Sequence, residues 1–167
     1  MKGKQTKIAV LCVAVLVLWG SLCGCAAEAD YFAPFRGGFA AEVTGEMNGQ
    51  PFSALLEAAP LPEAGERAVT VTFYAPEGLS GTVGGRRADG SLFLTAGRVT
   101  LGAEAAGLVP LLDLFPITDA VESVTLTEAG HTRITASGTT VDLLPDGTPH
   151  ALQTPTVTAT VIRWEAR

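Results

Sequence analysis

From Phe39 onward, apolar and polar residues alternate. Phe39, Ala41, Val43, Gly45 and Met47 fall on one side of a period of two, and Ala40, Glu42, Thr44 and Glu46 on the other. That pattern marks a strand with one buried face. Asn48-Gly49 follows, a pair that favours a two-residue hairpin turn, and Phe52, Ala54, Leu56 and Ala58 resume the alternation. After a Pro- and Gly-bearing loop over 60–65, Arg67–Ala75 sets Val69, Val71 and Phe73 against Thr70, Thr72 and Tyr74. Shorter strands are expected over 82–87, 91–95, 98–101, 121–127, 131–136, 139–144, 150–153 and 156–164, with turns at Asp89-Gly90, Gly97 and Asp146-Gly147. One segment changes period. Leu108, Leu111, Leu112 and Phe115 recur at helical spacing, Pro110 suits a first helical turn and Pro116 a stop. About ten strands and one short helix predict a mainly β domain, with an antiparallel sheet that buries the helix against one face.

The N-terminus follows different rules. Lys2, Lys4 and Lys7 precede an apolar run from Ile8 to Leu18, which has the layout of an export signal and is too short to span a bilayer comfortably. Leu22-Cys23-Gly24-Cys25 follows and resembles the lipobox of bacterial lipoproteins. The resemblance implies cleavage before Cys25 and acylation of its thiol by a diacylglyceryl group. The expected organisation is then a signal over 1–24, an acylated N-terminus and linker over 25–38, and one β-rich domain over 39–167. The chain would be exported and anchored to the bilayer at the outer face of the bacterial cytoplasmic membrane. Cys12 and Cys23 would leave with the signal, so the mature domain would hold together without disulfides. Tyr31, Phe32 and Phe35 in the linker are too apolar for a pure tether; they suggest packing on the domain or on the bilayer interface.

Charge narrows the partners. Beyond residue 24 the chain carries eight arginines against 17 acidic residues, a net charge of −9. Nucleic-acid phosphates would repel such a domain. Candidate chemistry is sparse. His131 and His150 are the only histidines, and no zinc-ligand spacing, Gly-x-Ser-x-Gly elbow or phosphate loop is present. His131 reads as a solvated strand residue. Gly81–Gly85 lacks the Lys-Ser/Thr and the helix that a phosphate loop needs. No catalytic residue, metal ligand or cofactor is expected, and the chain is not expected to be an enzyme.

The order of elements adds a second resemblance. A long hairpin is followed by a strand ending FYAPEGLSG, a strand-turn-strand at Asp89-Gly90, a short leucine-rich helix, and strands that include DLLPDGTPHALQ. Over most of 39–165 this is similar to the lipoprotein-carrier (LolA-like) superfamily and its lipid-anchored relatives. The resemblance implies a strongly curved half-barrel with helices plugging its concave face and a cavity that holds acyl chains. Family members usually carry more helix. Leu108, Leu111, Leu112 and Phe115 are then the expected ligand face, with Phe52, Leu56, Val71 and Phe73 as the opposing wall. The competing expectation is a filled core in a non-enzymatic structural or protein-interaction module, with Tyr74 and Trp164 exposed on the convex side.

Overall fold

The computed structural model describes residues 30–102, 107–115 and 120–167. The chain divides into Met1–Asp30 and Tyr31–Arg167, and everything described below belongs to the second unit. Leu22, Cys23, Gly24, Cys25 and Pro116 lie outside the described residues.

A single antiparallel sheet of 11 strands forms this unit. Its strands are β1 (Phe39–Met47), β2 (Gln50–Ala58), β3 (Val69–Ala75), β4 (Val83–Arg86), β5 (Leu92–Ala96), β6 (Val99–Leu101), β7 (Ser123–Leu126), β8 (Thr132–Ala136), β9 (Thr139–Leu143), β10 (Pro149–Gln153) and β11 (Val157–Ala166). The spatial order is β6-β5-β4-β3-β2-β1-β11-β10-β9-β8-β7. One meander runs outward from β1 to the β6 edge. The second starts at the opposite edge, β7, and runs back until β11 pairs with β1. The sheet is not closed.

Local chemistry explains the first hairpin. Met47 pairs with Gln50, and the intervening Asn48 and Gly49 both have positive φ, 51° and 75°. That conformation matches the twist of the strands, and Asn and Gly adopt it at low cost. Three irregularities then bend the central strands. The β1–β11 register jumps at Ile162, β2–β3 at Tyr74 and β9–β10 at His150. An extra residue in one strand of a pair increases twist and bends that strand.

The alternation read from the sequence sorts correctly onto two faces. Phe52, Ala54, Leu56 and Ala58 of β2 and Val69, Val71 and Phe73 of β3 are buried, while the threonines between the β3 residues are partly solvated. Ile134, Val141, Leu152 and Ala159 carry the same inner face through the second meander, and all belong to one hydrophobic cluster.

Two short helices fill the concavity. α1 (Ala33–Arg36) was not signalled by the sequence pattern; it puts Phe32 and Phe35 in the core at 2% and 0% exposure. α2 (Val109–Leu112) is the expected leucine-rich helix, with Pro110 in its first turn, but it is a single turn. Leu108, Leu111, Leu112 and Phe115 are all buried, as is Leu114 just past the helix. Phe35, Phe39, Phe115 and Trp164 make a continuous aromatic cluster, with Phe39 stacked on Trp164 at 4.5 Å and edge-on to Phe115 at 4.8 Å. Trp164 is therefore packed into the inner cluster and does not join the exposed Tyr74.

The glycines of β4 have a packing role. A Cβ on Gly84 would lie 2.2 Å from Leu108 Cδ1, and one on Gly85 would lie 2.3 Å from the Val69 carbonyl oxygen. The bare backbone of β4 is what lets Leu108 seat on the sheet.

Candidate functional site

Filling of the concave face is incomplete at one end. A cavity of about 350 Å³ remains there, lined by Phe39, Ala58, Arg67, Val69, Arg86, Leu112, Asp113, Phe115, Ser137 and Thr139. Arg86 belongs to β4 and Thr139 to β9, six strand spacings apart in the sheet order. In a flat sheet they would stand roughly 29 Å apart. Their meeting at one cavity measures how strongly the sheet curls.

Two arginines dominate its polar side. Arg67 is only 5% exposed and lies just before β3, in step with Val69, Val71 and Phe73. Its guanidinium donates from Nε to the Ala59 carbonyl at 2.6 Å, and from its terminal nitrogens to the Phe35 and Gly37 carbonyls. These bonds tie the segment around α1 to the β2–β3 connection. The same group lies 4.8 Å over the Phe39 ring. Burial pulls its pKa below the ordinary arginine value, although a guanidinium stays charged in proteins. Among the described residues no carboxylate lies within ion-pair distance of Arg67.

Arg86 pairs across from Val69 in the β3–β4 ladder. It is compensated, since Nη1 lies 3.0 Å from Asp113 Oδ1 and Nε 3.7 Å from Glu66 Oε2. Arg86 Nε also donates to the Arg67 carbonyl at 3.3 Å. The Asp113 contact holds the residue after α2 against β4.

The structure divides the expected ligand residues. Leu112 and Phe115 line the cavity. Leu111 is fully buried in the packed core, and Leu108 sits on Gly84. Phe52, Leu56, Val71 and Phe73 lie on the inner face as expected, but they pack into the core and none reaches the cavity. The arginines were missed as site residues. Their signal was parity: counting back by two from Val69 puts Arg67 on the buried face, and counting forward from Gly84 does the same for Arg86.

The remaining polar chemistry lies elsewhere. Arg133 Nε and Nη2 hold the two carboxylate oxygens of Asp142 at 2.7 Å each. That pair, with His131 and His150 nearby, keeps the Asp142 carboxyl below the usual carboxylate range. His131 is half-buried and packs edge-on to His150 at 4.7 Å, so it is less solvated than expected. Among the described residues, no three His, Cys, Asp or Glu side chains are placed to hold a metal ion, and no helix is long and apolar enough to cross a membrane.

Comparison with known proteins concerns the fold. No protein-family model matches the chain, and no curated protein sequence matches it. Among solved structures, it is similar to an uncharacterized conserved protein from Thermus thermophilus, with a TM-score of 0.48 and 15% identity over 83% of this chain and 84% of that one. It is also similar to MucB, with a TM-score of 0.50 and 13% identity over 86% of this chain and 60% of MucB. The chain thus spans less than two thirds of the length of MucB. Likeness at such identity is likeness of fold alone, and the match to MucB accords with one curved, mainly antiparallel β-sheet.

Proposed function

We propose that this chain is an extracytoplasmic lipoprotein of the bacterial cell envelope, anchored through acylated Cys25 at the outer face of the cytoplasmic membrane. It acts without catalysis and binds a lipid or other apolar ligand at the open end of its concave face. The observation that carries this reading is the cavity of about 350 Å³ between the sheet and the Leu112–Phe115 segment. Its volume falls in the lower part of the range of small-molecule sites, roughly 300–1,000 Å³. Leu112, Phe115, Phe39 and Val69 give it an apolar wall.

A second reading has its own support. The middle of the concave face is packed, with Phe35, Leu111 and Leu114 at 0% exposure. Both edge strands present apolar side chains, including Val99 and Leu101 on β6 and Val124 and Leu126 on β7. Unpaired edges of this kind suit pairing with another chain. On that reading the domain is a protein-interaction module and the cavity is a packing defect.

Native purification followed by mass spectrometry of retained lipid separates the two. The ligand reading expects a defined lipid class on the intact protein and its loss from Leu112→Phe, which narrows the cavity. No retained lipid, together with a higher unfolding midpoint for Leu112→Phe, would leave the interaction module standing alone.

A further inference from the structure

The cavity is bordered by a charge that no described residue balances. Arg67 carries five N–H donors, of which the carbonyls of Ala59, Phe35 and Gly37 take one from each nitrogen. One N–H remains on each terminal nitrogen. Arg86 beside it is neutralised by Asp113 and Glu66, whereas Arg67 has only neutral acceptors among the described residues. A buried charge is costly unless it is paired. An apolar wall begins directly beside it, at Phe39, Val69, Leu112 and Phe115.

From this juxtaposition we infer that the site takes a single-chain amphiphile with an anionic oxygen headgroup, carboxylate or phosphate. The headgroup accepts from the terminal nitrogens of Arg67, and the chain lies along Leu112 and Phe115. The inference rests on the ligand reading above and specifies its chemistry. It also accounts for why a domain with a strong net negative charge buries an arginine that no acid among the described residues accompanies. A charge-assisted hydrogen bond from a guanidinium to an anionic oxygen is roughly twice as strong as a neutral one. The three backbone bonds hold the guanidinium in place before any ligand arrives, which lowers the ordering cost of binding.

The test titrates the full chain, held in phosphatidylcholine vesicles, with matched eight-carbon probes by calorimetry; protein-free vesicles give the blank. The probes are octanoate, octyl phosphate, octanol and octyltrimethylammonium, with inorganic phosphate and acetate as headgroups alone. Octanoate or octyl phosphate should bind at least roughly tenfold more tightly than octanol, the factor expected from one charge-assisted hydrogen bond. The cation should not bind. Whichever anion binds more tightly identifies the headgroup class.

Arg67→Lys should lower anion affinity by a larger factor than octanol affinity. Because Arg67 also ties three backbone carbonyls, this variant could fail to fold; the probe series on the intact protein then decides alone. Octanol binding as tightly as the anions would overturn the headgroup assignment and leave the apolar-ligand reading intact. Inorganic phosphate or acetate binding as tightly as its eight-carbon counterpart would overturn the amphiphile and leave a free-anion site. Absence of binding by every probe would remove both the inference and the reading beneath it.

Discussion

Leu111 and Leu112 are neighbours in the chain but not in environment. Leu111 is fully buried among core side chains, while Leu112 borders the cavity at 5% exposure. Leu111→Ala should therefore cost about 2–5 kcal/mol, as truncation in a packed core does. Leu112→Ala should cost less, because part of its surroundings is already void, and it should weaken ligand binding more. Urea unfolding midpoints for the pair check this, and equal losses would show that the cavity is not open in solution. Asp142 makes a separate prediction at this scale. Its carboxyl, held ionised by Arg133, has a pKa below the unfolded value of about 3.9. A depressed carboxylate contributes stability that is complete above that unfolded value and is lost as pH falls through the folded one. Thermal midpoints should drop on acidification below about pH 4, and Asp142→Asn should flatten that limb. An unchanged acid profile in the Asn variant would assign the drop to other carboxylates. Arg67 shows how far single residues could be read. Its buried parity was present in the alternation with Val69 and Val71. Composition, however, attributes arginine to the surface and gives no hint of carbonyls arriving from 30 and 32 residues away.

Among the elements, the pairing of β1 with β11 joins the two meanders. Gly45 sits in that seam, and a Cβ there would lie 1.9 Å from the Thr158 carbonyl oxygen and 2.8 Å from Ala159 Cα. Both obstacles are backbone, so Gly45→Ala must push the strands apart. A loss at or above the usual overpacking cost of about 1–3 kcal/mol is expected. Gly84→Ala should cost less, since its nearest obstacle is Leu108 Cδ1, the far end of a side chain that can rotate. Chemical-denaturation midpoints of the two variants test the order, and a reversed order would mean that Leu108 is locked. The strands and their faces were legible because a period of two is enforced residue by residue. The helix was legible as a stripe but not in length. The spacing of Leu108, Leu111, Leu112 and Phe115 requires only that they share a side; α2 itself ends at Leu112, where Asp113 turns to Arg86 on β4. α1 was invisible beforehand, because four residues give no periodicity to read, and its aromatic residues explain themselves only once the concave face exists to receive them.

For the whole molecule, the proposed anchor predicts that Cys25→Ser abolishes incorporation of a fatty-acid analogue and releases the protein or stalls its maturation. Metabolic labelling reads this directly, and undiminished labelling of the serine variant would refute the anchor. Sheet curvature is likewise a property of the whole. Eleven strands could form a flat sheet, a sandwich or a closed barrel with the same alternation. The chosen shape depends on irregularities at Tyr74, His150 and Ile162 and on the glycines that allow close approach. By itself the sequence determined the strands, the buried faces of β2 and β3, the first hairpin and the apolar stripe, because periodicity and turn chemistry act between near neighbours. Tertiary structure alone decided the strand order, the filling of the concavity and the cavity at its end. Those depend on residues such as Arg86 and Thr139, far apart in the chain, meeting across a bent sheet. No local pattern encodes where a space will be left unfilled or which charge will border it.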